Sequence, residues 1–138
     1  MKNVEDIYPL SPMQQGMLFH SLYAPQSGVY VEQLSCVLEG ELNARAFEQA
    51  WREVLSRHPI LRTAFVWEGL DAPLQVVRQS VRLPLEEWDW RGLSEDARRR
   101  RLEDFLAEDR RRGFDITEAP LVRLALIRLG GANRPRKK

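Results

Sequence analysis

Cysteine is almost missing from this sequence: Cys36 is the single one in 138 residues. That excludes an intrachain disulfide and a cysteine-based zinc cluster, and makes a reducing, cytoplasmic setting the default expectation. No apolar run reaches the roughly 18 residues needed to span a bilayer, so no membrane-spanning segment is expected. The opening Met1-Lys2-Asn3-Val4-Glu5-Asp6 has two acids and no apolar stretch, unlike a signal peptide. Histidine is scarce as well, with only His20 and His58. There is no glycine-rich phosphate loop, no metal-spaced His/Cys/Asp set and no dinucleotide fingerprint. Ser11 and Ser56 lie outside any nucleophile-elbow pattern. The residues therefore offer no catalytic constellation and no metal site, and no cofactor bound by the chain itself is expected.

What is present suits one packed domain. Hydrophobic residues make up 43% and charged residues 30%, enough to build a core and too apolar for disorder. The net charge of +1 conceals two unlike halves. Residues 1–90 hold 7 basic and 12 acidic side chains, residues 91–138 hold 14 and 8. A basic C-terminal third raises nucleic acid or a membrane surface as partners. The arginines alternate with acids and lack interleaved aromatics, so a solvated helix face followed by a basic tail over 131–138 is the preferred reading.

The pattern predicts helix, strand, helix, strand, strand, helix, strand. Ser11-Pro12 caps a first helix to residue 23, with Met13, Met17, Leu18 and Leu22 as its apolar stripe. Gly16 inside it suggests close packing. Tyr30 to Leu38, rich in β-branched and aromatic residues, predicts a strand. Asn43 caps a second helix whose Phe47, Ala50, Trp51, Val54, Leu55 and His58 form one stripe, stopped by Pro59. Strands are predicted at Arg62–Trp67 and Leu74–Leu83, joined through Glu68-Gly69-Leu70-Asp71. Ser94 caps a third helix, ended by Gly113, with Leu102, Phe105 and Leu106 on its inner face. Leu121–Leu129 predicts a strand covered on both faces. An apolar strand followed only by a basic tail makes the chain read as cut. The fold class is α/β (α+β), a mixed sheet with helices packed on it.

Among single residues, His58 reads as a core or C-cap histidine, and His20 has no support as a base. Arg62 enters an apolar strand from a helix end, and a buried guanidinium needs a carboxylate. No partner for it is evident in these residues.

Two segments resemble a known family. Tyr8-Pro9-Leu10-Ser11-Pro12-Met13-Gln14-Gln15-Gly16-Met17-Leu18-Phe19-His20 is similar to the first core motif of nonribosomal peptide synthetase condensation domains. Arg57-His58-Pro59-Ile60-Leu61-Arg62-Thr63-Ala64-Phe65 is similar to their second. Arg112 to Arg123, through Gly113-Phe114-Asp115, resembles the segment before the family's central strand. The resemblance implies the N-terminal portion of a chloramphenicol-acetyltransferase-like lobe over residues 1–130. It also implies amide formation between aminoacyl or peptidyl thioesters carried on the phosphopantetheine arms of carrier proteins.

The family's catalytic His-His-x-x-x-Asp-Gly motif has no counterpart here, so catalysis by this chain alone is not expected. Ser11, Gln14, Arg57, His58 and Arg62 are implied as structural motif residues, and the absent motif aspartate as the partner of Arg62. Residues 1–8 read equally as a frayed terminus or as a docking segment for the C-terminus of an upstream synthetase subunit, with Glu5 and Asp6 as its contacts. The exposed edge of strand 121–129 predicts self-association or cover by the remainder of the domain.

Overall fold

The computed structural model describes residues 2–24 and 28–130. Its elements are β1 (Val4–Pro9), α1 (Pro12–Tyr23), α2 (Ala44–Arg57), a 3-10 turn (Pro59–Arg62), β2 (Thr63–Val66), β3 (Leu74–Arg78), β4 (Leu85–Asp89), α3 (Glu95–Arg112) and β5 (Leu124–Arg128). All three predicted helices form where their caps place them. The Ser11 hydroxyl accepts the Gln14 N–H while the Gln14 side chain accepts the Ser11 N–H, a reciprocal capping box. Asn43 caps α2 through the Ala46 N–H, and Ser94 caps α3 through the Ala97 N–H. Helix α2 ends at His58 because Pro59 disfavours helical backbone in the residue before it. Helix α3 carries Glu95 and Asp96 in its first turn and Arg110, Arg111 and Arg112 in its last, matching the macrodipole at both ends.

The strands form two sheets. In the first, β3 lies between β1 and β2 and pairs antiparallel with both, Tyr8 opposite Gln75 and Ala64 opposite Val76. In the second, β4 and β5 run parallel, from Leu85 opposite Leu124 to Asp89 opposite Arg128. The Phe65 N–H donates to the Ile116 carbonyl, tying the segment after α3 to the first sheet. Among the described residues, Leu10, Leu18, Leu55, Ala64, Val76, Val77, Leu83 and Trp90 are the buried apolar ones. Each buried leucine or valine among them contributes up to about 1.5–3 kcal/mol.

Several expectations change. Val4–Pro9 is a strand rather than a free end: its register against β3 supplies ladder bonds that a polar sequence does not advertise. Tyr30–Leu38 forms no strand, because no neighbouring strand offers it a ladder among the described residues. Leu34 is 92% exposed. The predicted strand 74–83 ends at Arg78, and Leu85–Asp89, disguised in the sequence by Glu86-Glu87, pairs with β5 instead. Strand β5 is half-buried, with Ala125 and Arg128 exposed, so it is not covered on both faces. On α1 only Leu18 of the stripe is buried, while Met13 and Leu22 face out. A Cβ on Gly16 would meet open space, so close packing does not account for that glycine. The expected basic tail, 131–138, lies outside the described residues.

Candidate functional site

The two motif segments meet around β3. Gln14 of α1 and Gln75 of β3 exchange side-chain amide hydrogen bonds at 3.2 and 3.0 Å, and the Gln75 amide also donates to the Pro9 carbonyl at 3.1 Å. Both ends of that bridge are fixed: Gln14 by its capping role, Gln75 by its place in the middle strand. The first motif is thereby held against the sheet that the second motif enters through β2.

Arg62 sits at the centre of the second motif, with its side chain 6% exposed. Its Nε donates to the Leu55 carbonyl at 2.9 Å and Nη2 to the Ser56 carbonyl at 3.3 Å. These belong to the last turn of α2, where unpaired carbonyls concentrate negative partial charge. Nη1 donates to the Arg78 carbonyl and, at 2.8 Å, to Glu5 Oε1. The expectation that Arg62 has no partner in this chain is corrected: Glu5 of β1 pairs with it. Three of its four acceptors are backbone carbonyls, which charge counting in a sequence does not register. The fourth became available only when β1 paired with β3 and brought Glu5 across 57 residues of chain.

The same pairing alters the reading of residues 1–8. Glu5 is committed to Arg62, and Val4–Pro9 lies in a sheet, so this stretch is not a frayed end. Asp6 remains at the surface, where its Oδ1 accepts the Ile7 N–H and its hydrogen bond with the Tyr8 hydroxyl raises that phenol's pKa. Arg57 is exposed and paired with Glu53 one turn earlier. His58 takes the C-cap position with its N–H on the Val54 carbonyl, exposed rather than in the core. His20 is also exposed, with its ring 5.7 Å from that of Phe19 and 6.2 Å from that of Tyr30. Among the described residues no group of His, Cys, Asp and Glu is arranged to hold a metal.

A second polar cluster, missed by the sequence reading, organises the segment after α3. Arg123 donates through Nε to Asp109 Oδ1 at 2.7 Å and through Nη2 to the Asp109 carbonyl at 2.7 Å. Its Nη1 donates to the Gly113 carbonyl, and its guanidinium lies 4.2 Å from the Phe114 ring centroid. Gln33 donates to Asp109 Oδ2 and to the Leu106 carbonyl, anchoring the extended 29–42 segment to α3. Burial alone would push the Asp109 carboxyl up, but hydrogen bonds from Arg123 and Gln33 outweigh it and hold the pKa below the usual range. The signal was present in the sequence as an arginine, Arg123, opening an apolar strand.

The assembly is therefore a scaffold: two motifs fixed to one sheet by a buried guanidinium and an amide pair, with both histidines at the surface. The sequence pattern of the family described as "Condensation domain" matches residues 4–133. The chain belongs to the condensation-domain family. Over 128 residues, 93% of this chain, it is 53% identical to a subunit of the linear gramicidin synthase of Brevibacillus parabrevis. Over 126 residues, 91% of this chain, it is 43% identical to bacitracin synthase 3 of Bacillus licheniformis. The chain spans only 2% of the length of each of these two relatives. The starter condensation domain of rhizomide synthetase RzmA superposes with a TM-score of 0.77 over 93% of this chain and 32% of that one, at 22% identity. The condensation domain of the monacolin K polyketide synthase MokA gives 0.75 over 94% and 28%, at 23% identity. The fold is thus the chloramphenicol-acetyltransferase-like fold of condensation domains, of which this chain matches about a third.

Proposed function

We propose that this chain forms the N-terminal part of a nonribosomal peptide synthetase condensation domain and supplies its scaffold rather than its acid–base chemistry. The whole domain joins aminoacyl or peptidyl thioesters, carried on the phosphopantetheine arms of cytoplasmic carrier proteins, into an amide. The observation that supports this most is the joining of both motif segments to one sheet through Arg62 and the Gln14–Gln75 pair. Amide formation needs a base within hydrogen-bond reach of the acceptor amine, and His20 and His58 are both solvent-exposed, with no carboxylate orienting them among the described residues.

The test is to incubate the full chain with aminoacyl-loaded donor and acceptor carrier proteins and follow dipeptidyl thioester by mass spectrometry. No product above the carrier-only background is expected. Product formed by this chain alone, and abolished by His58→Ala or His20→Ala, overturns the reading.

The second reading is a non-catalytic docking module for carrier proteins or an upstream synthetase subunit. It is favoured by the apolar side chains that α1 leaves exposed, Met13, Phe19 and Tyr23, with Asp6 close by in sequence at the surface. Saturable binding of a labelled carrier protein, weakened by Met13→Asp and Phe19→Asp, is the expected result. No saturable binding of either a carrier protein or an upstream C-terminal peptide removes it.

A further inference from the structure

Where the N-terminal end of β1 meets the end of β3, a concavity of about 420 Å³ opens beside the segment that follows α3. Its walls include Arg78, Arg82, Ser80, Asn3, Thr117 and Glu118. The volume falls in the range of small-molecule sites.

The walls are braced. Asn3, in the left-handed region at φ 60°, clasps Ser80: its Nδ2 donates to the Ser80 carbonyl at 3.1 Å, and its Oδ1 accepts the Ser80 N–H at 2.9 Å. On the other side Thr117 donates its hydroxyl to Asp115 Oδ1 at 2.6 Å, and its N–H to the same oxygen at 3.1 Å. The Asn3 amide and the Thr117 hydroxyl proton are thus already used within the protein.

The unused donors are the two guanidinium groups. Neither Arg78 nor Arg82 makes a side-chain hydrogen bond or ion pair among the described residues, although Glu118 lines the same concavity. By contrast Arg52, Arg57, Arg62, Arg91, Arg111 and Arg123 are all spent on carboxylates or carbonyls. Two planar forks on one concave, braced surface suit an anion that accepts from both at once. A phosphate, with up to two negative charges and at least three acceptor oxygens, gains more from two guanidinium groups than a singly charged carboxylate does.

We propose that this concavity binds a phosphate group, free or carried on a small ester, between Arg78 and Arg82, with Glu118 opposing it. The site is independent of the amide-forming reading and stands or falls without it. Glu118 weakens the site, since its carboxylate repels the same anion the arginines attract.

The test uses the full chain, isotopically labelled and titrated with inorganic phosphate, with a phosphate monoester and with acetate, at constant ionic strength. Saturable shifts at Ser80, Val81, Arg82 and Thr117 are expected with phosphate, and acetate should bind at least about tenfold more weakly. Arg78→Gln and Arg82→Gln should each weaken phosphate about tenfold or more, and Glu118→Gln should strengthen it several-fold. Arg100→Gln, on the exposed face of α3, should leave it unchanged. Retained spectra elsewhere separate loss of the site from loss of the fold. A monoester that binds more tightly than inorganic phosphate assigns the ester as the source, and the reverse order assigns free phosphate. No saturation, equal binding of acetate, or an equal effect of Arg100→Gln overturns the proposal.

Discussion

At the scale of single residues, Arg62 carries the largest stake. It is buried, and its charge is balanced by one half-exposed carboxylate and the carbonyls of three residues. Removing one side of a buried ion pair costs about 3–5 kcal/mol, because the other side stays behind. Here the two sides are unequal. Arg62→Met strips the donor from the carbonyls at the end of α2 and at Arg78, and should lower stability by about 3 kcal/mol or more in urea unfolding. Glu5→Gln keeps a hydrogen-bond acceptor on a side chain that reaches water, and should cost no more than about 1–2 kcal/mol. An Arg62→Met cost no larger than that of Glu5→Gln would show that the backbone carbonyls are not the principal partners. Gly16 gives the opposite sign. With open space around its missing Cβ, Gly16→Ala should raise stability by up to about 1 kcal/mol, and the same unfolding curve reads it.

At the scale of elements, caps and titrating groups set what each helix contributes. Asn43→Ala and Ser94→Ala each remove a capping oxygen and should cost about 1 kcal/mol, read as loss of helical signal at a lower urea midpoint. The carboxylates of α3 and its flanks give the pH dependence. Asp89 is held down to about 2, first by the Arg91 side chain and then by the Arg91 N–H. Glu108 is lowered by Arg111 and Asp115 by Thr117, while Asp109 is lowered in spite of its burial. A carboxylate with a depressed folded pKa stabilises above its unfolded pKa, and that contribution is lost as pH falls through the folded value. Stability should therefore be flat near neutrality and decline from about pH 4 downward. Asp109→Asn should lower the neutral-pH plateau and flatten the acid decline; an unchanged slope would show that Asp109 does not titrate with folding.

At the scale of the whole molecule, what stands out is apolar surface. Met13, Phe19, Tyr23, Leu34 and Val37 are all more than 60% exposed, and large exposed apolar patches mark interaction surfaces. Strand β5 adds a sheet edge unpaired on the side away from β4 among the described residues. Sedimentation of this chain by itself should show concentration-dependent self-association, reduced by Leu34→Lys together with Val37→Lys. A well-folded monomer at all concentrations would remove this expectation.

The helices were legible in the sequence because each is specified locally, by Ser11, Asn43 and Ser94 at their starts and Pro59 and Gly113 at their stops. The strands were less so. Val4–Pro9 and Leu85–Asp89 have acidic, non-alternating sequences and exist because a partner strand completes their backbone bonds. Tyr30–Leu38 has the composition of a strand and no ladder among the described residues. The same asymmetry applies to the site. The two motif segments and the importance of Arg62 come from local residue order, which needs no third dimension. Glu5, the Leu55, Ser56 and Arg78 carbonyls, and the Asp109–Arg123 clamp are neighbours only after folding. Charge neutralisation inside a core depends on distance through space, and chain order does not carry that distance.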